Sequence, residues 1–232
     1  SSTISYRWLV TRFSDLVGHW RLDGNASDSS GNGYHGVHSN ANIYSTDTPF
    51  GEGQSVNLNG NKYITVSDGG NQGTFDGGTV FSISTWVKEW PDADWGAYVS
   101  KRGEGTQGWQ LRRRWNSGDS ILFTIRGPQE NDDWYVNKNI NDNQWHHLTM
   151  TLDKDEDKLR LFVDGVEEGN TDTEAASRTQ FSRLWVGGVK GGCAGDDVMD
   201  GAIDDFRYYY RTLSADEIGL LANCAKRVLA IG

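Results

Sequence analysis

From Val17 almost to its last residues the chain reads strand, turn, strand, with every second residue apolar in several of the runs and glycine or aspartate in the turns between them. In residues 81–87, Phe81, Ile83 and Val87 fall on one side, and Ser82, Ser84 and Trp86 on the other. Ile121, Phe123 and Ile125 share a side, as do Leu159, Leu161 and Val163. A period of two is what a strand with one buried face requires, because successive side chains point to opposite faces. The breaks between runs carry Asp76-Gly77, Asp164-Gly165 and Gly191-Gly192, which are turn dipeptides. Glycine occurs 29 times and proline 3 times, a balance that suits many tight turns.

Read this way, strands are expected at 18–22, 55–58, 63–66, 81–88, 96–101, 108–115, 120–126, 145–152, 158–163, 183–186 and 201–209. One helix is expected at 215–223. Ser214 and Glu217 form a capping box ahead of Ile218, Leu220 and Leu221, and Cys224 follows the helix end. The pattern predicts an all-β protein, a two-sheet antiparallel sandwich or jelly roll with one short C-terminal helix.

At 232 residues the chain suits a single such domain over 16–232, preceded by an N-terminal segment or linker, 1–15. Net charge is −10, the wrong sign for a partner bound through its phosphates, so nucleic acid is not expected. No run of 18 apolar residues is present, so no membrane span is expected. The first residues lack the apolar stretch of a signal peptide, and the chain reads as a mature or excised segment. Ten tryptophans exceed the usual need of a core, which leaves some for a binding surface. Cys193 and Cys224 are either two free thiols or a disulfide; the bridge is the reading taken, in an oxidising compartment. Closing that loop would add roughly 3–4 kcal/mol in the chain-entropy model.

Seven segments occur in order: "LVGHWRLDGNASDSSGNGYHG", "GQSVNLNGNKYITV", "FSISTWVK", "YVSKR", "WHHLTMTLDKDEDKLRLFVDG", "LWVGG" and "GAIDDFRYYYRTLSADEI". The series resembles the laminin-G-like jelly-roll branch of the concanavalin A-like lectin/glucanase superfamily, over about 16–222. The resemblance implies the sandwich fold. It also implies that Trp86 and Trp145, at positions where the family usually has Trp, pack in the core or between the sheets. Many members bind a structural Ca2+ at the matching motifs. Here Asp23, Asn25 and Asp28 cluster in the opening loop and Asp204 and Asp205 lie in the last strand. Carboxylates and carbonyls converging there suit a hard, oxygen-seeking ion. The expected metal set is Asp23, Asn25, Asp28 and Asp204, led by Asp23 and Asp204. Asn25-Ala26-Ser27 is also a glycosylation sequon, of consequence only in a eukaryotic secretory route.

Other motifs lead elsewhere. The run from Asp153 to Asp157 starts like an EF-hand loop, but Lys158 stands where glycine is needed, so it reads as a hairpin tip. Gly103, Gly105 and Gly108 match a dinucleotide fingerprint, yet a strand follows where a helix must. The alternating E-x-D-x-E strand of laminarinase-type relatives, which would aim three carboxylates into one cleft, is absent. In "GWQLRRRW", alternation sends Arg112 and Arg114 away from the face of Leu111, and Arg126 follows on the next strand. Trp134 and Tyr135 come next, in what reads as a polar loop. Cationic forks beside aromatic faces suit a sugar, above all an acidic or sulfated one. The charge of −10 opposes long-range attraction of such a polymer, so neutral sugars stay open. The alternative is that these arginines pair with Glu130, Asp132 or Asp133 and stabilise the sheet.

The sequence thus points to a secreted or cell-surface, non-catalytic carbohydrate-binding domain with a structural calcium ion, placed in a larger protein. Its ligand residues are expected to be Arg112, Arg114, Arg126, Trp134 and Tyr135. A protein–protein adhesion or spacer domain is the first alternative, and a polysaccharide lyase or hydrolase the second.

Overall fold

The structure is a computed structural model. It describes residues 15–40, 43–59, 62–67, 74–75, 80–90, 96–102, 108–113, 120–126, 131–172, 183–192 and 195–228. Among them the strands are β1 (Leu16–Trp20), β2 (Gly36–His38), β3 (Tyr44–Ser45), β4 (Ser55–Asn57), β5 (Ile64–Val66), β6 (Val80–Glu89), β7 (Gly96–Arg102), β8 (Gly108–Arg113) and β9 (Ser120–Arg126). There follow β10 (Asn131–Asn137), β11 (Trp145–Asp153), β12 (Lys158–Val163), β13 (Val166–Asp172), β14 (Leu184–Val186), β15 (Gly188–Gly192), β16 (Gly195–Val198) and β17 (Gly201–Tyr209). Helix α1 (Ala215–Val228) closes the described chain.

The strands form two sheets. Sheet A runs β13-β12-β11-β6-β17-β4-β3, with β1 paired to β17; sheet B runs β10-β9-β8-β7-β14-β5-β2, with β15 and β16 beside β7. The alternation read from the sequence is the one that packs them. Phe81, Ile83 and Val87 of sheet A meet Trp109, Leu111, Ile121, Phe123 and Ile125 of sheet B in one core. Trp20 stacks on Phe206 at 5.1 Å and Phe81 on Tyr208 at 5.5 Å, so β1, β6 and β17 share an aromatic seam. Trp20 and Trp109 donate their indole N–H to backbone carbonyls of Tyr34 and Phe75, which removes the cost of burying them.

Helix α1 lies on the outer face of sheet A, where Ile218, Leu221 and Leu213 pack on Tyr209 and Phe162 in a second, smaller core. The capping box is formed: the Glu217 amide donates to Ser214 Oγ at 3.3 Å, and the Ser214 amide to Glu217 Oε2 at 2.9 Å. The helix runs past the expected Asn223 because Ala225, Lys226 and Arg227 favour helix, so Cys224 lies inside it. Cys193 and the side chain of Cys224 fall outside the described residues, and the expected disulfide with them.

Three other expectations are corrected. Trp134 and Tyr135 belong to a strand, β10, and not to a loop; the polar "NDD" ahead of them hides the alternation. Trp86 is buried, but on the outer face of sheet A, where its ring meets the edges of Phe50 and His147. Trp145 is only half-buried at the start of β11, and its indole N–H donates to Asp47 Oδ1 at 3.0 Å. Both tryptophans sit on the strand face opposite the core residues, so they shield sheet A from outside.

Candidate functional site

The last strand carries the decisive irregularity. On β17, Asp204 pairs with Trp86 of β6 and Arg207 with Ser84, so three steps on one strand match two on the other. The extra residue is a β-bulge, with Asp205 at φ 48°. The Thr85 hydroxyl donates to the Asp204 carbonyl at 3.1 Å across it. The bulge resets the alternation. Ile203 points to the core before it, and Phe206 and Tyr208 after it. Asp204, Asp205 and Arg207 are all left to the outer side.

There they line a cavity of about 500 Å3 at one end of sheet A. His19 and Arg21 enter from β1 and the residue just after it, Asp23 from the following turn, and Phe50, Glu52, Gly53 and Gln54 from the β3–β4 loop. The turn is tight: Leu22 is held at φ 60°, and the Gly24 amide donates to the Leu22 carbonyl at 3.1 Å, around Asp23. Asp23 Oδ1 in turn accepts the Gln54 amide at 2.8 Å, which ties the two walls together. Gly53 has φ 80°, and a Cβ there would stand 2.5 Å from Asp23 Oδ1, so this contact needs glycine.

The floor of the cavity is paired. Asp205 Oδ1 contacts His19 Nε2 at 2.6 Å and Asp205 Oδ2 meets Arg207 Nη2 at 2.9 Å. Burial by itself would raise the Asp205 carboxyl, but Arg207 and His19 outweigh it and hold it well below the usual carboxylate range. Asp204 lacks such help. Burial, then the charge of Asp205, push its carboxyl up to about 8. Beneath Trp86, His147 is buried with Nε2 2.9 Å from Ser84 Oγ, and burial pulls its imidazole down to about 4. The mouth is different. Among the described residues the side chains of Glu52 and Gln54 have no partner, and Arg21 meets Asp23 only at 3.7 Å.

Of the expected metal set, Asp23 and Asp204 come together in this cavity. Asp28 and Asn25 do not line it. Asp28 accepts four hydrogen bonds, from the amides of His19, Ser30 and Tyr34 and the Ser30 hydroxyl, at 2.8–3.0 Å, and organises the opening turn. Asn25 accepts the Ser27 amide at 2.9 Å on the exposed side of that turn. Among the described residues no three His, Cys, Asp or Glu side chains gather closely enough to hold an ion by themselves. Asp23 and Asp204 are carboxylates, the donor type a calcium ion takes, but by themselves they would supply only part of its six to eight oxygens.

The expected ligand residues are split by the structure. Tyr135, Leu122 and Arg112 form one cross-strand row on the outer face of sheet B. Tyr135 is exposed but Arg112 is 5% exposed, and Trp134, one residue away, faces the core side and packs against it. Arg114 and the side chain of Arg126 lie outside the described residues. In the next row Gln110 is buried, and its Oε1 has no hydrogen-bond partner among the described residues. The residues that do converge on a cavity, His19, Arg21, Phe50, Glu52, Gln54 and Arg207, were not singled out from the sequence. The one signal was the charged "DDFR" inside an otherwise apolar last strand.

The family model described as "Concanavalin A-like lectin/glucanases superfamily", of the Laminin_G_3 group, matches residues 58–219. The chain belongs to this superfamily. None of the curated proteins matches the sequence. Among solved structures, the chain is similar to the binding domain of Paraclostridial Mosquitocidal Protein 1 at 18% identity and a TM-score of 0.69, over 90% of this chain and 52% of that one. It is similar to domain 4 of AbnA, a GH43 extracellular arabinanase from Geobacillus stearothermophilus, solved in complex with arabinotriose. There the identity is 22%, the TM-score 0.68 and the coverage 90% and 98%. It is also similar to the binding domain of Botulinum Neurotoxin DC in complex with SialylT, at 17% identity and a TM-score of 0.66, over 91% and 52%. The chain thus spans about half the length of the two toxin binding domains and nearly all of the arabinanase domain. At such identities the likeness is one of fold, which in the concanavalin A-like superfamily hosts more than one activity.

Proposed function

We propose that the domain binds carbohydrate without transforming it, through the cavity between β1, β17 and the β3–β4 loop, with a calcium ion at Asp23 and Asp204. One observation carries this reading. The floor groups Asp205, Arg207 and His19 are already paired and rigid, while Arg21, Glu52 and Gln54 at the mouth keep donors and acceptors to spare beside the ring of Phe50. Hydroxyl-rich ligands use that combination, an aromatic face with donors and acceptors of both kinds. The arabinanase domain, solved with arabinotriose, supports the reading as an analogy of fold. Asp23 and Asp204 would hold the calcium ion, which would supply the positive charge that Asp204 lacks. Secretion or display at a cell surface, within a larger protein, accords with this role; among the described residues no helix is long and apolar enough to cross a membrane. A glycan array run with calcium and with chelator is the test. Binding lost in Phe50→Ala but kept in Tyr135→Phe places the ligand in the cavity.

A second reading has an observation of its own. Asp204 is pushed up to about 8 while its neighbour Asp205 stays ionised, the division of roles that a glycosidase uses. Against it, Asp205 is engaged by Arg207 and His19, and a cation at Asp204 would remove the proton an acid needs. Release of reducing ends from a polysaccharide, abolished in Asp204→Asn, would favour the hydrolase.

A further inference from the structure

We infer that the cavity takes the uncharged terminal residue of a glycan chain and turns away uronate or sulfated units. The inference rests on the cavity being the glycan site proposed above, and concerns which sugar and which part of the chain.

The shape argues for an end. A cavity of about 500 Å3 lies within the range that small ligands fill. Its continuation along sheet A is closed. Beyond Arg207 the face is taken by Tyr209 under helix α1, and beyond Phe50 by the buried ring of Trp86. An extended chain therefore has no track to follow across this face, and one residue enters with the rest of the chain in solvent.

The charges argue against an anion. Both guanidiniums of the cavity face carboxylates of the same cavity, Arg207 at 2.9 Å from Asp205 and Arg21 at 3.7 Å from Asp23. Glu52 is left without a partner among the described residues, so an arriving carboxylate or sulfate meets an unmatched like charge and no unmatched cation. A calcium ion at Asp23 and Asp204 would neutralise those two carboxylates and leave Arg21 balanced by Glu52, so the cavity still offers an anion no net positive charge. The net charge of −10 opposes an anionic polymer at longer range as well. Neutral hydroxyls, by contrast, find the Glu52 carboxylate as acceptor, the Gln54 amide as either partner, and Phe50 for a C–H face.

The experiment is calorimetry on the full chain in calcium buffer. The probes are arabinotriose, cellotriose and mannotriose, against trigalacturonate and a sulfated trisaccharide, each with its long polymer. At least one neutral trisaccharide is expected to bind, tenfold or more tighter than the anionic ones. Affinity for its polymer is expected to follow the concentration of chain ends. Glu52→Gln, an exposed change, is expected to narrow the tenfold gap by raising the affinity for the anionic trisaccharides. Tighter binding of an anionic trisaccharide, or polymer affinity that follows total sugar, overturns the inference and leaves the carbohydrate reading standing. No binding of any probe, with the melting transition intact, overturns the carbohydrate reading and the inference with it.

Discussion

Asp204 and Asp205 are consecutive in one strand, yet both open into the same cavity. In a regular strand neighbours point to opposite faces. The bulge between Asp204 and Arg207 cancels that rule at one step and returns Phe206 and Tyr208 to the core. The two carboxyls then diverge in character: burial and the charge of its neighbour raise Asp204 to about 8, and Arg207 keeps Asp205 ionised despite its own burial.

Calcium is expected to raise the melting temperature and chelation to lower it. A ligand at a hundred times its dissociation constant stabilises a fold by about 2.7 kcal/mol. Differential scanning fluorimetry with and without calcium reads this directly, and Asp204→Asn should abolish most of the response. An unchanged melting curve, with no metal in elemental analysis, would refute the ion.

Gly53→Ala is expected to cost about 1–2 kcal/mol in stability, because alanine is strained at a positive φ. Its Cβ would also meet the Asp23 carboxylate, 2.5 Å away in the present geometry. Calcium affinity should fall with it. Gly31→Ala, also at positive φ but with open space around it, serves as the control for strain alone.

Acid is expected to destabilise the domain partly through His147. Burial lowers its imidazole from 6.5 to about 4, so between those values the unfolded chain binds more protons than the folded one. Stability is full above 6.5 and falls as pH drops toward 4, by about 3 kcal/mol from this group. Urea titrations across that interval measure the slope, and His147→Gln should flatten it.

Ser214→Ala is expected to cost about 1 kcal/mol through loss of the helix cap. Glu217 depends on the same contact: although burial opposes it, Arg211 and Ser214 pull its carboxyl down to about 2. Its contribution is present above its ordinary value near 4.5 and is lost as pH falls from there toward 2. Circular dichroism at intermediate urea separates local fraying of α1 from global unfolding.

Cys193 and Cys224 are expected to be bridged, and thiol titration of the denatured, unreduced chain should then find no free thiol. Reduction should cost roughly 3–4 kcal/mol on the chain-entropy account. Two titratable thiols would refute the bridge.

What could be read in the sequence followed from how strongly each run is patterned. Phe81, Ile83 and Val87, or Leu159, Leu161 and Val163, repeat cleanly because one face is buried along the whole strand. Strand β10 escaped because its outward residues Asp133 and Tyr135 and its flanks are those of a loop. The bulge in β17 has no signature at all, since it shows only when Asp204 and Arg207 are set against β6. The site was missed for the same kind of reason. Phe50, Glu52 and Gln54 lie in a glycine-rich loop without period, and acquire meaning only opposite Asp23 and Arg207. The arginine-rich strand drew attention by composition, while burial of Arg112 depends on neighbours that composition does not name.

Strand β1 pairs with β17, so Leu16 lies opposite Tyr209 and His19 opposite Arg207. The cavity is therefore a joint between the beginning and the end of the described fold, separated by almost the whole of its sequence. During synthesis, His19 and Asp23 leave the ribosome long before Asp205 and Arg207 exist, and closing so long a loop is among the slower steps a chain takes. On the proposed function, ligand recognition would accordingly be a certificate of completion, absent from every nascent or truncated form that lacks the final strand.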